Sequence, residues 1–110
     1  MKEKNAIDAL SALSQETRLR IVRYLVSCGE DGAPAGEIAS YVGIGASNAS
    51  FHLSALDHSG VVSSERQSRK IIYRADFTLI GGLISFLLND CCGNHPDIRA
   101  CCLDCESGCC

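Results

Sequence analysis

Two apolar periodicities separated by a glycine-containing turn constrain the fold of this chain more than any other feature. Apolar residues at helical spacing form one side of a first helix: Ile38, Ala39 and Val42. Gly43 is a residue type that commonly ends helices. From Ser47 onward, the same spacing marks the inner face of a second helix: Ala49, Leu53 and Leu56. This order of elements predicts a helix-turn-helix unit.

Two further amphipathic helices are predicted before this unit. Apolar residues recur at helical spacing through residues 6–13 and again through residues 19–26. Ser14 lies between them and is of a type favoured at helix N-caps, so we expect it to cap the second helix. Residues 28–34, with two glycines, two acidic residues and a proline, are expected to form a loop.

The outer face of the helix that begins at Ser47 is small, polar and uncharged. Ser47, Asn48 and Ser50 offer short donors and acceptors that suit a DNA major groove about 12 Å wide. Phe51 lies on the same face. The alternative is that the serines only hydrate an outward helix face.

A β-hairpin is predicted after Gly60. Val61 and Val62 begin one strand, and residues 70–74 alternate like a second strand. Beside a recognition helix, such a wing can place Arg66, Arg69 and Lys70 near DNA phosphates or the minor groove. The alternative is an ordinary edge hairpin, because lysine and arginine often protect strand edges from aggregation.

The charge distribution is compatible with a nucleic-acid partner although the net charge is −3. Residues 1–75 contain nine Lys/Arg against eight Asp/Glu (+1), and residues 76–110 contain one against five (−4). Local charge contacts phosphate. The 110 residues, 46% of them apolar, fit one small globular domain. No run approaches a membrane span or a secretory signal, so we expect a cytoplasmic protein without a membrane partner.

The cysteines are concentrated at the C-terminal end, where the last twenty residues contain seven of the eight. Grouped cysteines in a reducing cytosol more often bind metal or do redox chemistry than form structural bridges. Thiolates select soft ions such as Zn(II), Cu(I) or As(III). We therefore divide the chain into a domain at residues 1–90 and a sensing tail at residues 91–110.

The chain resembles the ArsR/SmtB family of winged-helix repressors over approximately residues 5–90. The resemblance rests on four runs: LSQETRLRI (13–21), SNASFHLSAL (47–56), GVV (60–62) and RKIIYR (69–74). It implies a mainly α-helical dimeric winged helix-turn-helix with a two-stranded wing, which represses transcription and is not an enzyme. It also implies that the serine-rich helix reads operator DNA. His52 is interpreted as a packing or backbone-contact residue rather than a metal ligand.

Residues 77–88 are apolar almost all round, so a helix there requires burial on both sides. In the resembling family, the first and last helices form the homodimer interface. Gly81 and Gly82 would permit close approach of helices there, and the alternative is a kink.

The cysteine positions resemble those of arsenic-responsive members of the family. Other members place a cysteine pair on or before the recognition helix, or histidines on the last helix, and this chain has neither. The remaining pattern is a vicinal pair, Cys91 and Cys92, followed by a later cysteine, Cys101 or Cys102. Arsenic(III) prefers three thiolates, whereas a methylated trivalent arsenical needs only two.

We therefore predict a DNA-binding repressor that trivalent arsenic releases from its operator. One alternative is a repressor that responds to oxidant, persulfide or a soft metal such as Cd(II). Another is a small thiol redox or metal-scavenging protein that uses the C-x-x-C of Cys102 and Cys105. A loose, oxidation-prone tail without a single geometry is the simplest alternative for the cysteines.

Overall fold

The computed structural model describes residues 1–103 and contains the predicted elements in the predicted order. The α-helices are α1 (Glu3–Leu13), α2 (Glu16–Cys28), α3 (Ala35–Val42), α4 (Ala46–Ser59), α5 (Phe77–Ser85) and α6 (Pro96–Leu103). The strands are β1 (Ala33–Pro34), β2 (Val62–Gln67) and β3 (Lys70–Ala75). A 3-10 turn covers Gly29–Asp31, and a π-helical segment covers Phe86–Cys91. The predicted winged helix-turn-helix fold is confirmed.

The core lies where α2, α3 and α4 meet the beginning of the hairpin. Its fully buried large side chains are Ile21, Leu25, Ile38, Leu53, Leu56, Val61 and Val62. Burial of each contributes roughly 2 kcal/mol. The inner face of α4 was predicted correctly, since Ala49, Leu53 and Leu56 are completely buried.

Only part of the apolar pattern in the first two helices is buried. Helix α1 packs on α4 through alanines, namely Ala6, Ala9 and Ala12, and Leu10 is exposed. On α2, Leu19 and Val26 are also exposed. Because alanine side chains are small, the α1 backbone can lie close to α4. The larger apolar residues of α1, Ile7 and Leu10, are exposed.

Ser14 is not the N-cap of α2, and this prediction was wrong. The N-cap is Gln15, which has extended backbone angles and accepts a hydrogen bond from the Arg18 amide through its side chain at 2.9 Å. The Ser14 hydroxyl instead donates to the Ser11 carbonyl at 2.8 Å, at the end of α1. Because only two residues connect the helices, Ser14 ends α1 and the next residue, Gln15, caps α2.

The sheet has a third strand, β1, in the segment that was predicted to form a loop. Its antiparallel order is β1-β3-β2, with Ala33 paired to Tyr73 and Val62 paired to Ala75. Arg74 of β3 donates from Nε to the Glu30 carbonyl at 2.6 Å. The wing is therefore attached to the end of α2 as well as to α4.

The C-terminal part is more helical than predicted. Helix α5 continues into the π-helical segment, so Cys91 is still helical and Cys92 follows directly. After a turn in which Gly93 and Asn94 have positive φ, α6 carries Cys101 and Cys102. Cys105, Cys109 and Cys110 lie outside the described residues. No helix in the described part of the chain is long and apolar enough to cross a membrane.

We predict that Gly32→Ala destabilises the protein more than Gly29→Ala does. Both glycines have φ 64°, with ψ −162° at Gly32 and −142° at Gly29, a region that is essentially restricted to glycine. At Gly29 a Cβ meets no atom within 4 Å, whereas at Gly32 it lies 2.7 Å from Arg74 Cγ and collides with the Tyr73 carbonyl.

Backbone strain should lower the free energy of unfolding by about 1 to 3 kcal/mol in Gly29→Ala. The collision with β3 should add at least about 1 kcal/mol in Gly32→Ala. Urea denaturation of the two variants measures the difference. Equal losses would show that β1 does not constrain the wing.

Candidate nucleic-acid interface and cysteine cluster

The outer face of α4 is open to solvent. The predicted reading residues Ser47, Asn48, Ser50 and Phe51 are all exposed, and 66% of the Phe51 surface is accessible. The helix begins after Gly45, without a side-chain cap or an acidic residue in its first turn. The free N–H groups and the positive dipole end of α4 are therefore not occupied by a side chain or neutralised by an acidic residue of the first turn. This arrangement suits approach to a phosphate backbone.

His52 is placed differently from its neighbours on α4. It is half-buried, and its Nδ1 accepts a hydrogen bond from Arg18 Nε of α2 at 3.1 Å. Burial and then the Arg18 charge lower the pKa of His52. The imidazole is therefore a neutral acceptor, which agrees with a packing role and leaves Nε2–H as the ring's donor. Arg18 was not among the candidate residues, although it lies in the LSQETRLRI run.

The wing presents a basic edge. Arg66, Arg69 and Lys70 are exposed, and the two-residue turn between β2 and β3 contains Ser68 at φ 57°. Arg74 is different, because its guanidinium forms an ion pair with Glu65 at 3.0 Å. The hydrogen bond from Gln67, followed by Arg74, lowers the pKa of Glu65. The one carboxylate of the hairpin is thus engaged, and three cations remain exposed.

The vicinal cysteines differ in exposure. Cys91 is exposed and Cys92 is half-buried, and both are free thiols. A hydrogen bond with Cys91, followed by partial burial, raises the pKa of the Cys92 thiol. Negative charge on Cys91 would repel negative charge on Cys92, which acts in the same direction as the hydrogen bond and the burial.

Cys92 and Cys102 line one apolar pocket of about 170 Å³ between the end of the α5 region and α6. The remaining lining residues are aliphatic: Ile84, Leu87, Leu88 and Ile98. Cys102 is a free thiol, whereas Cys101 is disulfide-bonded. Within residues 1–103, no three His, Cys, Asp or Glu side chains form a ready-made metal site. The four predicted sulphur ligands are therefore near in sequence but not gathered at one point.

Comparison with known proteins agrees with this geometry. A family model described as a helix-turn-helix domain matches residues 13–65. The chain is 32% identical over 89 residues to the HTH-type transcriptional regulator YgaV of Escherichia coli K12, covering 81% of this chain and 88% of that protein.

Solved structures share the fold. An ArsR-like transcriptional regulator from Rhodococcus sp. RHA1 superposes with a TM-score of 0.71 at 27% identity, covering 91% of this chain and 90% of that one. A homodimeric winged helix-turn-helix DNA-binding domain from Mycobacterium bovis gives 0.65 at 23% identity, covering 84% and 85%. These proteins are regulators rather than enzymes. The chain belongs to the ArsR family of winged helix-turn-helix DNA-binding transcriptional regulators.

Proposed function

We propose that this regulator is a homodimeric repressor that trivalent arsenic, bound to C-terminal cysteine thiolates, releases from its operator. The observation that carries the proposal is the position of three free thiols around the end of one helix. Cys91 and Cys92 end the helical segment that follows α5, and Cys102 shares a pocket with Cys92. Soft thiolates in such proximity favour a soft, thiophilic ligand.

DNA binding would use two surfaces with different roles. The exposed serines and Asn48 of α4 reach base edges, and the basic edge of the wing contacts phosphates. The net negative charge lies after residue 75, where five Asp/Glu stand against one Lys/Arg, and this segment follows both surfaces in sequence. Occupation of a promoter by such a protein blocks transcription physically.

Dimerisation is supported by apolar side chains that the described part of the chain leaves uncovered. On α1, Ile7 and Leu10 are 56% and 41% exposed, and on α5, Phe77 and Ile84 are each 49% exposed. The chain just before α1 lies against α5, because a Cβ at Gly82 would lie 3.6 Å from Met1 Cε. Large apolar side chains left exposed in this number are typical of a subunit interface.

The chemistry at the thiols needs no oxidant. Arsenous acid condenses with three thiols, forming three As–S bonds and releasing three water molecules. A monomethylated trivalent arsenical forms two such bonds and releases two waters. Because Cys102 and not Cys101 lines the pocket that contains Cys92, Cys102 is the expected third ligand beside Cys91 and Cys92.

Arsenic would weaken DNA binding by changing the dimer geometry. In a two-fold symmetric complex, the two α4 helices must meet half-sites about 34 Å apart. Bonds from α6 to the end of the α5 segment would constrain the helices at the interface. A tenfold loss of DNA affinity requires about 1.4 kcal/mol of coupling between the two sites.

Redox sensing is the second candidate, and the disulfide at Cys101 favours it. A peroxide could oxidise two of the free thiols to a disulfide, accepting two electrons and two protons and being reduced to water or alcohol. Titration of the reduced protein on DNA with arsenite, methylarsenite, cadmium, polysulfide and hydrogen peroxide separates the two functions. Release by peroxide or polysulfide alone would replace the arsenic proposal with the redox one.

The wing and α4 should respond differently to mutation. Arg69→Ala should weaken binding to every DNA sequence and reduce the log–log salt slope by roughly 0.9, since one phosphate contact is lost. Ser50→Ala and Asn48→Ala should mainly reduce the preference for the operator. Fluorescence anisotropy at several salt concentrations measures both effects. Arg99→Ala removes an arginine on α6 and should change neither; an unaltered salt slope in Arg69→Ala would remove the wing from the interface.

The dimer should dissociate when a charge is placed on the exposed face of α5. Ile84→Asp buries an unpaired carboxylate in the interface, which costs several kcal/mol. Ile71→Asp is the matched control, since Ile71 on the wing is 45% exposed. Leu83 is unsuitable for this test because it is buried in the core of its own chain. Sedimentation equilibrium at micromolar concentration should show a monomer only for Ile84→Asp, and a monomeric wild type would contradict the proposal.

The cysteine variants should separate sensing from DNA binding. Cys91→Ser and Cys92→Ser should bind DNA normally but no longer leave it on addition of arsenite, because a serine hydroxyl cannot replace a soft thiolate. Cys102→Ser should impair release by arsenite more than release by methylarsenite, which needs only two sulphurs. Cys28→Ser on α2 is the control and should respond as wild type. Normal release of the Cys91→Ser/Cys92→Ser double variant would disprove the site.

A further inference from the structure

Arg18 of α2 contacts two aromatic side chains of α4, Phe51 and His52. Its Nε donates to His52 Nδ1 at 3.1 Å, and its Cζ lies 5.8 Å from the centre of the Phe51 ring. The Phe51 and His52 rings are themselves in edge contact, with centroids 5.6 Å apart. The Arg18 amide donates to the Gln15 cap, so the start of α2 fixes the residue that reaches across.

This arrangement holds an aromatic ring at the surface. Phe51 is 66% exposed although its ring is apolar, and it lies on the same face as Ser47 and Ser50. Among residues 1–103, Arg18 has no ion pair with a carboxylate within 4.0 Å. Within this part of the chain, the guanidinium instead contacts the two aromatic side chains of α4.

An exposed ring on a major-groove face has one particular use in reading DNA. Serine and asparagine can hydrogen-bond to base edges, whereas the C5-methyl group of thymine is recognised by apolar contact, including contact with phenylalanine. Such a contact is specific only if the ring has a fixed orientation. The guanidinium, 5.8 Å from the ring centre, and the imidazole, in T-shaped contact with the ring, both restrict the Phe51 ring.

We propose that Arg18 is a positioning residue for sequence recognition, which holds Phe51 and His52 so that the Phe51 ring contacts a thymine methyl group in the operator. The role is independent of the inducer and of the cysteines. Arg18 differs in this from Arg69, whose expected role is a direct, sequence-independent phosphate contact.

The test compares specific with non-specific binding. The DNA probe is a duplex selected for tight binding from a random pool, made also with single thymine-to-uracil changes, which remove one methyl group each. Wild type should lose about tenfold in affinity at one or two uracil positions of each half-site. Arg18→Gln and Phe51→Ala should bind the thymine duplex about tenfold more weakly and should no longer distinguish thymine from uracil there.

Two further results separate positioning from other roles. Because both substitutions remove the same contact, the Arg18→Gln/Phe51→Ala double variant should bind no more weakly than either single variant. Binding of Arg18→Gln to random-sequence DNA, and its salt slope, should equal those of wild type. A uniform loss on all DNA with a reduced salt slope would instead make Arg18 a phosphate contact and overturn the proposal.

His52 provides a test that does not depend on Arg18 variants folding. His52→Asn keeps an acceptor near the Nδ1 position and should retain discrimination of thymine from uracil, whereas His52→Leu should lose it. Phe51→Ala changes an exposed residue, so its fold is expected to persist. Retention of discrimination by both His52→Leu and Phe51→Ala would overturn the proposal.

The pH profile gives an independent signature. Protonated His52 cannot accept a hydrogen bond from Arg18. Because burial and the Arg18 charge lower the His52 pKa from its ordinary value of 6.5, binding should persist at that pH and weaken only in more acidic solution. The charged groups nearby are Arg18 itself and, in the cleft that Arg18 shares with α1 and α4, Asp8 and His58. His52→Asn should abolish the decline, and His58→Gln should keep it. A decline that follows His58 and not His52 would contradict the assignment.

Discussion

Burial of the inner face of α4 is the constraint on which the rest of the structure depends. Ala49, Leu53 and Leu56 are completely enclosed, with Ile21, Leu25 and Ile38 among the other fully buried residues of this core. Because a helix is a rigid cylinder, fixing one face also fixes the direction of the opposite face. The polar side chains of α4 are therefore held at the surface by the same hydrophobic contacts that stabilise the domain.

Much of this arrangement could be predicted from the sequence, because it follows from local periodicity. The spacing of Ala49, Leu53 and Leu56 specifies which face of α4 is buried, and the alternation after Gly60 specifies the hairpin. Strand β1 could not be predicted in this way, since Ala33 and Pro34 have no periodicity of their own. They form a strand only because β3 offers an unpaired edge beside Gly32.

The candidate site shows the same division between local and long-range information. Exposure of Ser47, Asn48, Ser50, Arg66, Arg69 and Lys70 was predictable from the helical wheel and the strand pattern. The contact between Arg18 and His52 joins residues 34 positions apart, so no sequence window contains it. The sequence also could not show that Cys92 and Cys102 line the same pocket. Their proximity depends on the turn at Gly93 and Asn94, which folds α6 back.

The π-helical segment Phe86–Cys91 places the vicinal thiols on the part of the helix with the least regular winding. Its hydrogen bonds span five residues, as in the bond from the Cys92 amide to the Leu87 carbonyl at 3.0 Å. If this segment became α-helical, each hydrogen bond would join residues four apart instead of five apart. The sulphur atoms would then turn by about 100° around the axis while the backbone stayed helical. A change in helix winding within Phe86–Cys91 would therefore rotate the two cysteines about the helix axis.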